Sequence, residues 1–413
     1  MSTPLVQTYL LDNSLATLRA EHGIKTSAKT GDRFFSVNYD QIESKPGEMV
    51  NQCRGLVLSV PFALTEEQVN GNSAVGFTAI QARPFDRFFN LGDSNASAVN
   101  LEDSQTVFYE KLDGTLCIVY FNTVLCQWCV ATRSVPLADK PMTGWDDLTF
   151  RGLFELALRD TLVRNDLVEP TIRADYAFDF WAENKLNPLC TYMFELTTPM
   201  NRIVVNYEKS TVWLLGIRNT QTGEETPVES IVAQSLGVPV CPSYKLNNLS
   251  ELLDFVGSKA PFEQEGIVVR NGQDRVKVKS LAYVAYNRVR DSVANSPRAI
   301  VELILSEKLD DVMPVLEPYI QTLATKIQDG IRALFHKSDL EFHEIMLEVA
   351  GQENQHKAFA LAVQARKGWM GYLMDRFLGR CSSLEDYIQK RRTTEGAYPD
   401  GLLDTLLAES AKL

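Results

Sequence analysis

Cysteine and histidine are scarce in this chain, long apolar runs are missing, and positive charge is outnumbered by negative. The 413 residues carry 7 cysteines, an odd and scattered set that makes no disulfide framework. Cys126 and Cys129 are two residues short of adjacent, but no second pair accompanies them. Their surroundings read as a strand, which would send the two thiols to opposite faces, so no zinc site is expected. The 4 histidines, His22, His336, His343 and His356, have no metal-ligand spacing. No stretch of about 18 apolar residues would span a membrane, and the N-terminus has no basic, apolar and cleavage-site sequence of a secretion signal. The expectation is a chain of the reducing cytoplasm, host cytoplasm if it is viral. A Gly-x-Ser-x-Gly elbow is missing, as are a Walker A loop and a Gly-x-Gly-x-x-Gly turn. These absences count against a serine hydrolase, a P-loop phosphotransferase and a dinucleotide-binding enzyme. The net charge of −12 excludes a generally adhesive nucleic-acid coat, although a local basic groove can sit in an acidic whole.

What is present divides into two textures, and the length favours two domains over one. Residues 4–20 read as a short helix. From about 31 to 282 most of the chain is strand-like: 55–60, 116–121, 124–131, 203–207, 212–217 and 267–270. Helical inserts are expected near 149–165, 227–236 and 249–257. Strands and helices without regular alternation indicate an α+β fold with antiparallel sheets. After Lys279 the apolar residues recur at helical spacing, as in Ile300, Leu303 and Ile304, and Asn295-Ser296-Pro297 looks like a helix start. The expected division is 1–282, carrying the chemistry, and 283–413, an all-helical domain.

The chemistry gathers in the first part. Lys111-Leu112-Asp113-Gly114 stands at the mouth of the apolar run Thr115 to Phe121. A lysine two residues before Asp-Gly is the layout of an enzyme that attaches a nucleotide to its own ε-amine. Alone it is weak, since chance supplies such a tetrapeptide in about one chain in ten of this length. Arg54-Gly55, Phe194-Glu195, Glu265-Gly266 and Lys277-Val278-Lys279 give it company. Lys111 would be the nucleophile, its pKa lowered by burial and cationic neighbours. Asp113 could orient the amine, and Gly114 would let backbone approach a ligand closely. In a strand Lys277 and Lys279 point to one face, the valines to the other. Such a pair can clamp phosphate oxygens as pyrophosphate leaves. Arg54, Arg87 and Arg133 are further cations for a triphosphate or a 5′-phosphate. Glu195 and Glu265 sit at edges of apolar strands, where a carboxylate needs a partner or a metal. Glu195 could bind a ribose hydroxyl. Glu265 could accept from the lysine amine or hold waters of a magnesium ion.

In this order the chain resembles the covalent nucleotidyltransferases, the superfamily of ATP-dependent RNA and DNA ligases and capping enzymes, with Lys111-x-Asp113-Gly114, Phe194-Glu195, Glu265-Gly266 and Lys277-x-Lys279 similar to their motifs I, III, IV and V. More narrowly it resembles the tRNA-repair RNA ligases of bacteriophages, the RNA ligase 1 family. That likeness rests on residues 33–39, Cys53-Arg54-Gly55, residues 83–90 and 194–205, Lys279 to Val284, and Leu309-Asp310-Asp311. The resemblance implies that Lys111 takes AMP and that Glu110 reads the adenine amino group through its backbone carbonyl. It implies that Arg54 and Arg87, supported by Phe89, bind nucleotide, and that Val268 packs on the adenine. Glu195, Lys277 and Lys279 match nucleotide-contacting and essential positions, Tyr283 an essential tyrosine, and Asp310 an aspartate implicated in metal binding. Ala131 and Arg133 stand where the family has two lysines, Arg87 where a lysine is common, and Val37 where an aromatic can occur.

The resemblance implies an ATP-dependent RNA ligase using Mg²⁺, or Mn²⁺, on broken tRNA anticodon loops. A separate kinase/phosphatase would heal the ends. A DNA ligase or capping enzyme is disfavoured because the chain after Lys279 is helical and lacks the basic motif of an oligonucleotide-binding barrel. A non-catalytic RNA-binding protein on the same scaffold would be expected to lose Lys111, Glu195 or the lysine pair, and all are present. Arg366, Lys367, Arg376, Arg380 and Lys390-Arg391-Arg392 are candidate contacts for tRNA phosphates.

Overall fold

The computed structural model describes residues 3–40, 43–142, 145–260, 262–313, 316, 318–366, 369–393 and 397–412. The chain divides into two compact units, Met1–Val284 and Ala285–Leu413. The strands of the first are β1 (Ile24–Thr26), β2 (Phe34–Tyr39), β3 (Arg54–Ser59), β4 (Ala79–Ala82), β5 (Phe89–Asn90), β6 (Val107–Lys111), β7 (Thr115–Asn122), β8 (Gln127–Ala131), β9 (Pro141–Met142), β10 (Trp145–Thr149), β11 (Cys190–Thr197), β12 (Thr211–Asn219), β13 (Glu225–Thr226), β14 (Ser243–Tyr244), β15 (Gly266–Asn271) and β16 (Asp274–Lys279). They build a four-stranded sheet in the order β1-β2-β3-β4, a five-stranded sheet β13-β12-β11-β7-β8, a second β14-β6-β15-β16-β5, and the ribbon of β9 and β10. Neighbours pair antiparallel except β16 with β5, which run parallel. The fold is therefore α+β with antiparallel sheets, and the second unit is built of helices.

β7 reads as a continuous apolar run because both of its faces are covered. One face meets Leu153, Phe154, Phe178 and Trp181 of the helices Phe150–Arg164 and Ala174–Lys185. The other meets Val57, Ala82 and Phe85. β16 alternates instead: Val276 is fully buried in a cluster with Leu252 and Ile267, and its lysines face a cavity.

Four details depart from the sequence reading. Residues 4–20 form two helices, Leu5–Leu10 and Leu15–His22, because Ser14 starts a new one by accepting the Thr17 N–H. Residues 203–207 are no strand; the backbone N–H groups of Val204 and Val205 are captured by a carboxylate rather than by a ladder. The strand expected over 124–131 begins at Gln127, since Cys126 holds a positive φ of 53° in the preceding turn. The helix Ala174–Lys185, absent from the expected inserts, buries Ala177, Phe178, Trp181 and Ala182. All seven cysteines are free.

In the second unit, helices Pro297–Leu305, Pro318–Glu348, Gln355–Arg366, Met370–Phe377, Leu384–Gln389 and Asp400–Ser410 enclose Val301, Ile331, Phe359, Tyr372, Ile388 and Leu406. Among the described residues no helix is long and apolar enough to cross a membrane.

Candidate active site

The end of β6 and the turn into β7 carry the centre of the site. In the ladder Lys111 lies opposite Gly266, and Gly266 in turn lies opposite Lys279. Both lysines thus flank the strand that Glu265 precedes. The Lys111 Nζ donates to Glu265 Oε2 at 2.6 Å, and Lys279 Nζ lies 2.7 Å from Oε1. Glu265 is buried, so each of its oxygens is matched by a cation, as a buried carboxylate requires.

Asp113 stands behind this pair. Its Oδ2 accepts the N–H groups of Val204 and Val205, each at 2.8 Å, and its Oδ1 accepts the Tyr283 hydroxyl at 2.6 Å. The Asp113 N–H donates to the Tyr207 hydroxyl at 3.0 Å. These bonds draw residues 204–207 and the buried Tyr283 onto the turn, and they occupy the carboxylate that sequence reasoning gave to the lysine amine. Gly114 donates its N–H to Glu195 Oε1 at 3.1 Å. A Cβ on Gly114 would lie 2.3 Å from the Leu196 carbonyl oxygen, which is why the turn admits only glycine there.

A cavity of 510 Å³ opens over these groups, lined by Lys111, Gly114, Glu195, Lys277, Lys279, Arg54 and Arg133, with Tyr39, Phe88, Thr132 and Ser134 among its walls. A narrower recess adjoins it. Arg54, Phe88, Lys111 and Glu195 belong to both, and the other walls of the recess include Glu110, Phe85, Leu215, Cys241 and Val268. The Nη1 atom of Arg54 is buried without a hydrogen-bond partner. A buried guanidinium nitrogen without an acceptor is costly unless an anion arrives. Arg87 does not line the cavity; its guanidinium lies over the rings of Tyr39, at 4.4 Å, and Phe89, at 4.9 Å. Tyr283 donates to Asp113 and is not among the residues lining either cavity.

The electrostatics reverse one expectation. Burial pulls the Lys111 ammonium downward, but the carboxylates of Glu265, Glu195 and Asp113 outweigh it and leave the pKa above the ordinary lysine value. The depressed lysine is Lys277, lowered to about 8 by burial and then by Lys111, Lys279 and Arg54. Glu195 is pushed up to about 7, first by burial, with Glu265 and Asp113 adding to it.

Asp310 belongs to the other unit. It lies exposed on the short helix Leu309–Val312 of the second unit, whereas Glu265 belongs to the first. Among the described residues no group of three or more His, Cys, Asp or Glu is placed to hold a metal ion. Sequence reasoning missed Tyr39, Phe88, Tyr207 and Cys241. Phe88 and Tyr39 were within reach, because Phe88 sits between Arg87 and Phe89 and Tyr39 ends the quoted run 33–39; Tyr207 and Cys241 are joined to the site only by the fold.

The RNA ligase family model matches residues 52–283. A putative bifunctional polynucleotide kinase/RNA ligase of Autographa californica nuclear polyhedrosis virus is 27% identical over 342 residues, covering 78% of this chain and 44% of that protein. The chain thus spans less than half the length of that relative. An RNA ligase of Rhodothermus phage RM378 is 25% identical over 377 residues, covering 74% of this chain and 78% of the phage protein. Among solved structures, an archaeal ATP-dependent RNA ligase aligns with 76% of this chain and 78% of its own, at 12% identity and a TM-score of 0.40.

Proposed function

The chain belongs to the RNA ligase family, and on that premise we propose that it is an ATP-dependent enzyme joining 5′-phosphate and 3′-hydroxyl RNA ends through a lysyl-AMP on Lys111. The observation that carries this reading is the Lys111 Nζ held 2.6 Å from Glu265 at the floor of a cavity whose other walls bear Lys277, Lys279 and Arg54. A nucleophile and a set of phosphate-binding cations therefore share one pocket, with a proton acceptor in contact with the nucleophile.

In the first step the Lys111 amine forms a bond to the α-phosphorus of ATP as the bond to pyrophosphate breaks. The amine rests as an ammonium, so it must shed a proton, and Glu265 is the acceptor already in contact. Arg54, with its unpaired Nη1, and Lys277 meet the triphosphate oxygens. The Glu110 carbonyl and Val268 receive the adenine, and Glu195 the ribose. In the second step the 5′-phosphate of an RNA end displaces Lys111 from AMP. In the third a 3′-hydroxyl attacks that activated phosphate and AMP departs. Covalent capture divides one difficult condensation into displacements with good leaving groups.

Among the described residues there is no all-protein metal cage, and both oxygens of Glu265 are taken by lysines. The residues fit a divalent ion that arrives with the triphosphate, and Glu195 and Glu265 are the carboxylates that would hold it. When bound, magnesium or manganese would neutralise phosphate charge. Asp310 is a proposed further ligand.

We assign a nicked tRNA as the substrate and the second unit to its recognition. End healing would come from a kinase/phosphatase. The name of the viral relative couples a kinase to a ligase in one protein, and this sequence has no P-loop.

The test is incubation with magnesium and α-labelled ATP followed by denaturing electrophoresis, beside Lys111→Ala. Label is expected on wild type and absent from the variant. A wild type still blank after its bound AMP has been stripped with pyrophosphate would sink the reading. RNA and DNA ends, each with a 5′-phosphate, then distinguish the acceptor.

A further inference from the structure

The recess beside Lys111 contains a backbone carbonyl that the sheet fails to use. In an antiparallel ladder a residue's N–H and C=O point to the same neighbour, and alternate pairs exchange both bonds. On β6, Tyr109 and Lys111 stand opposite Val268 and Gly266 of β15. Glu110, between them, turns the other way, and its N–H donates to the Pro242 carbonyl at 2.8 Å. The register of β14, with Tyr244 opposite Phe108 and Ser243 opposite Tyr109, makes Pro242 the next partner, opposite Glu110. Any other residue there would return an N–H to the Glu110 carbonyl and close the pair. Proline has none to return. The donor this oxygen has instead is the Cys241 thiol, with Sγ 3.2 Å away. A thiol is a weak donor, and burial, followed by the Glu110 and Glu195 carboxylates, keeps it protonated. Glu110, Cys241 and Val268 all line the recess.

We propose that Pro242 is a specificity-determining residue: by withholding a ladder N–H it leaves the Glu110 carbonyl open to the exocyclic amino group of adenine and hostile to a 6-keto purine. This rests on the reading of Lys111 as the nucleotide acceptor and names how the base is chosen. An amino group displaces or shares with the weak thiol and completes the carbonyl's bonding. A keto oxygen in its place sets two acceptors against each other and leaves both unsatisfied. Alanine at position 242 would supply the missing donor and fill the oxygen from within the sheet.

The experiment measures single-turnover labelling of Lys111 by ATP, by the triphosphate of purine riboside, which lacks the amino group, and by inosine triphosphate. Wild type is compared with Pro242→Ala. In wild type the KM for either analogue is expected to exceed that for ATP by about tenfold, the worth of one good hydrogen bond. In Pro242→Ala the KM for ATP is expected to rise by about fivefold while that for purine riboside triphosphate moves by less than about twofold. A merely structural role would raise both together, and that result, or an unmoved ratio, overturns the proposal. If Pro242→Ala does not fold, the wild-type ratios decide alone: ATP and purine riboside triphosphate within about twofold of each other would overturn it. No label from ATP on wild type already stripped of AMP with pyrophosphate overturns the underlying reading and this proposal with it; label with an unmoved ratio overturns this proposal only.

Discussion

Lys277 is lowered to about 8 by burial first and then by the charges of Lys111, Lys279 and Arg54. Its ordinary value is 10.5, so between about pH 8 and that value an unfolded chain holds a proton that the folded chain does not. By linkage the fold bears the cost of charging this residue below about pH 8 and is relieved of it as pH rises through the window. For catalysis the sign is opposite, because the ammonium is the form that attracts phosphate. The kcat/KM for ATP in Lys111 labelling is expected to fall above about pH 8 in wild type. Lys277→Arg keeps its charge through that range, so its profile should lack the descending limb. A limb shared by both enzymes would place the ionisation on another group. Glu195, pushed up to about 7, sets a separate ascending limb common to the two.

At the scale of elements, Gly266 is the joint on which the lysines turn. It lies between Lys111 of β6 and Lys279 of β15's other neighbour, β16, with φ of 155°. A Cβ there would stand 2.0 Å from the Val278 carbonyl oxygen and 2.8 Å from the Lys279 Cα. Both are fixed backbone atoms, so Gly266→Ala must part β15 from β16 where Glu265 bridges Lys111 and Lys279. The expected outcome is a loss of about 1–3 kcal/mol of stability together with at least a tenfold slower Lys111 labelling. Thermal melting and a single-turnover assay check it; an unchanged labelling rate in a destabilised protein would show that the strand joint does not set the lysine geometry. Much of this was legible beforehand. Period-two alternation in β16 put Lys277 and Lys279 on one face, and the apolar run of β7 followed directly from the residues. What escaped was long-range. Asp113 looks like a partner for Lys111, two residues away, yet its oxygens go to Val204, Val205 and Tyr283. The apolar string 203–207 has strand composition, but the same carboxylate takes two of its N–H groups. Nothing in a single sequence states which donor a buried carboxylate will meet.

At the scale of the whole molecule, a chain of net charge −12 must concentrate its cations to hold RNA. In the first unit they are concentrated at the cavity of Arg54, Arg133, Lys277 and Lys279. In the second, the basic residues singled out in the sequence are largely matched by acids. Arg380 and Arg391 both pair with Asp375, Lys390 with Asp386, and Arg376 with Asp339. Lys367 lies outside the described residues. Arg376 is largely buried over the Phe342 ring, but the exposed pairs of Arg380 and Lys390 contribute little to stability, so exchanging their carboxylates for a phosphate costs little. The Arg380 and Lys390 side chains, more than half exposed, remain within reach of a polyanion. Recognition spread over such a surface should matter most for a large, shaped substrate. Deleting residues 290–413 leaves Lys111, Glu195, Glu265 and the lysine pair in place, so Lys111 labelling is expected to persist, slowed no further than Asp310→Ala slows it, while sealing of a nicked tRNA is impaired more than sealing of a short single strand. Sealing rates on the two substrates, each normalised to the labelled fraction, provide the measurement. An equal loss on both would assign the second unit to the chemistry of joining and remove it from substrate choice.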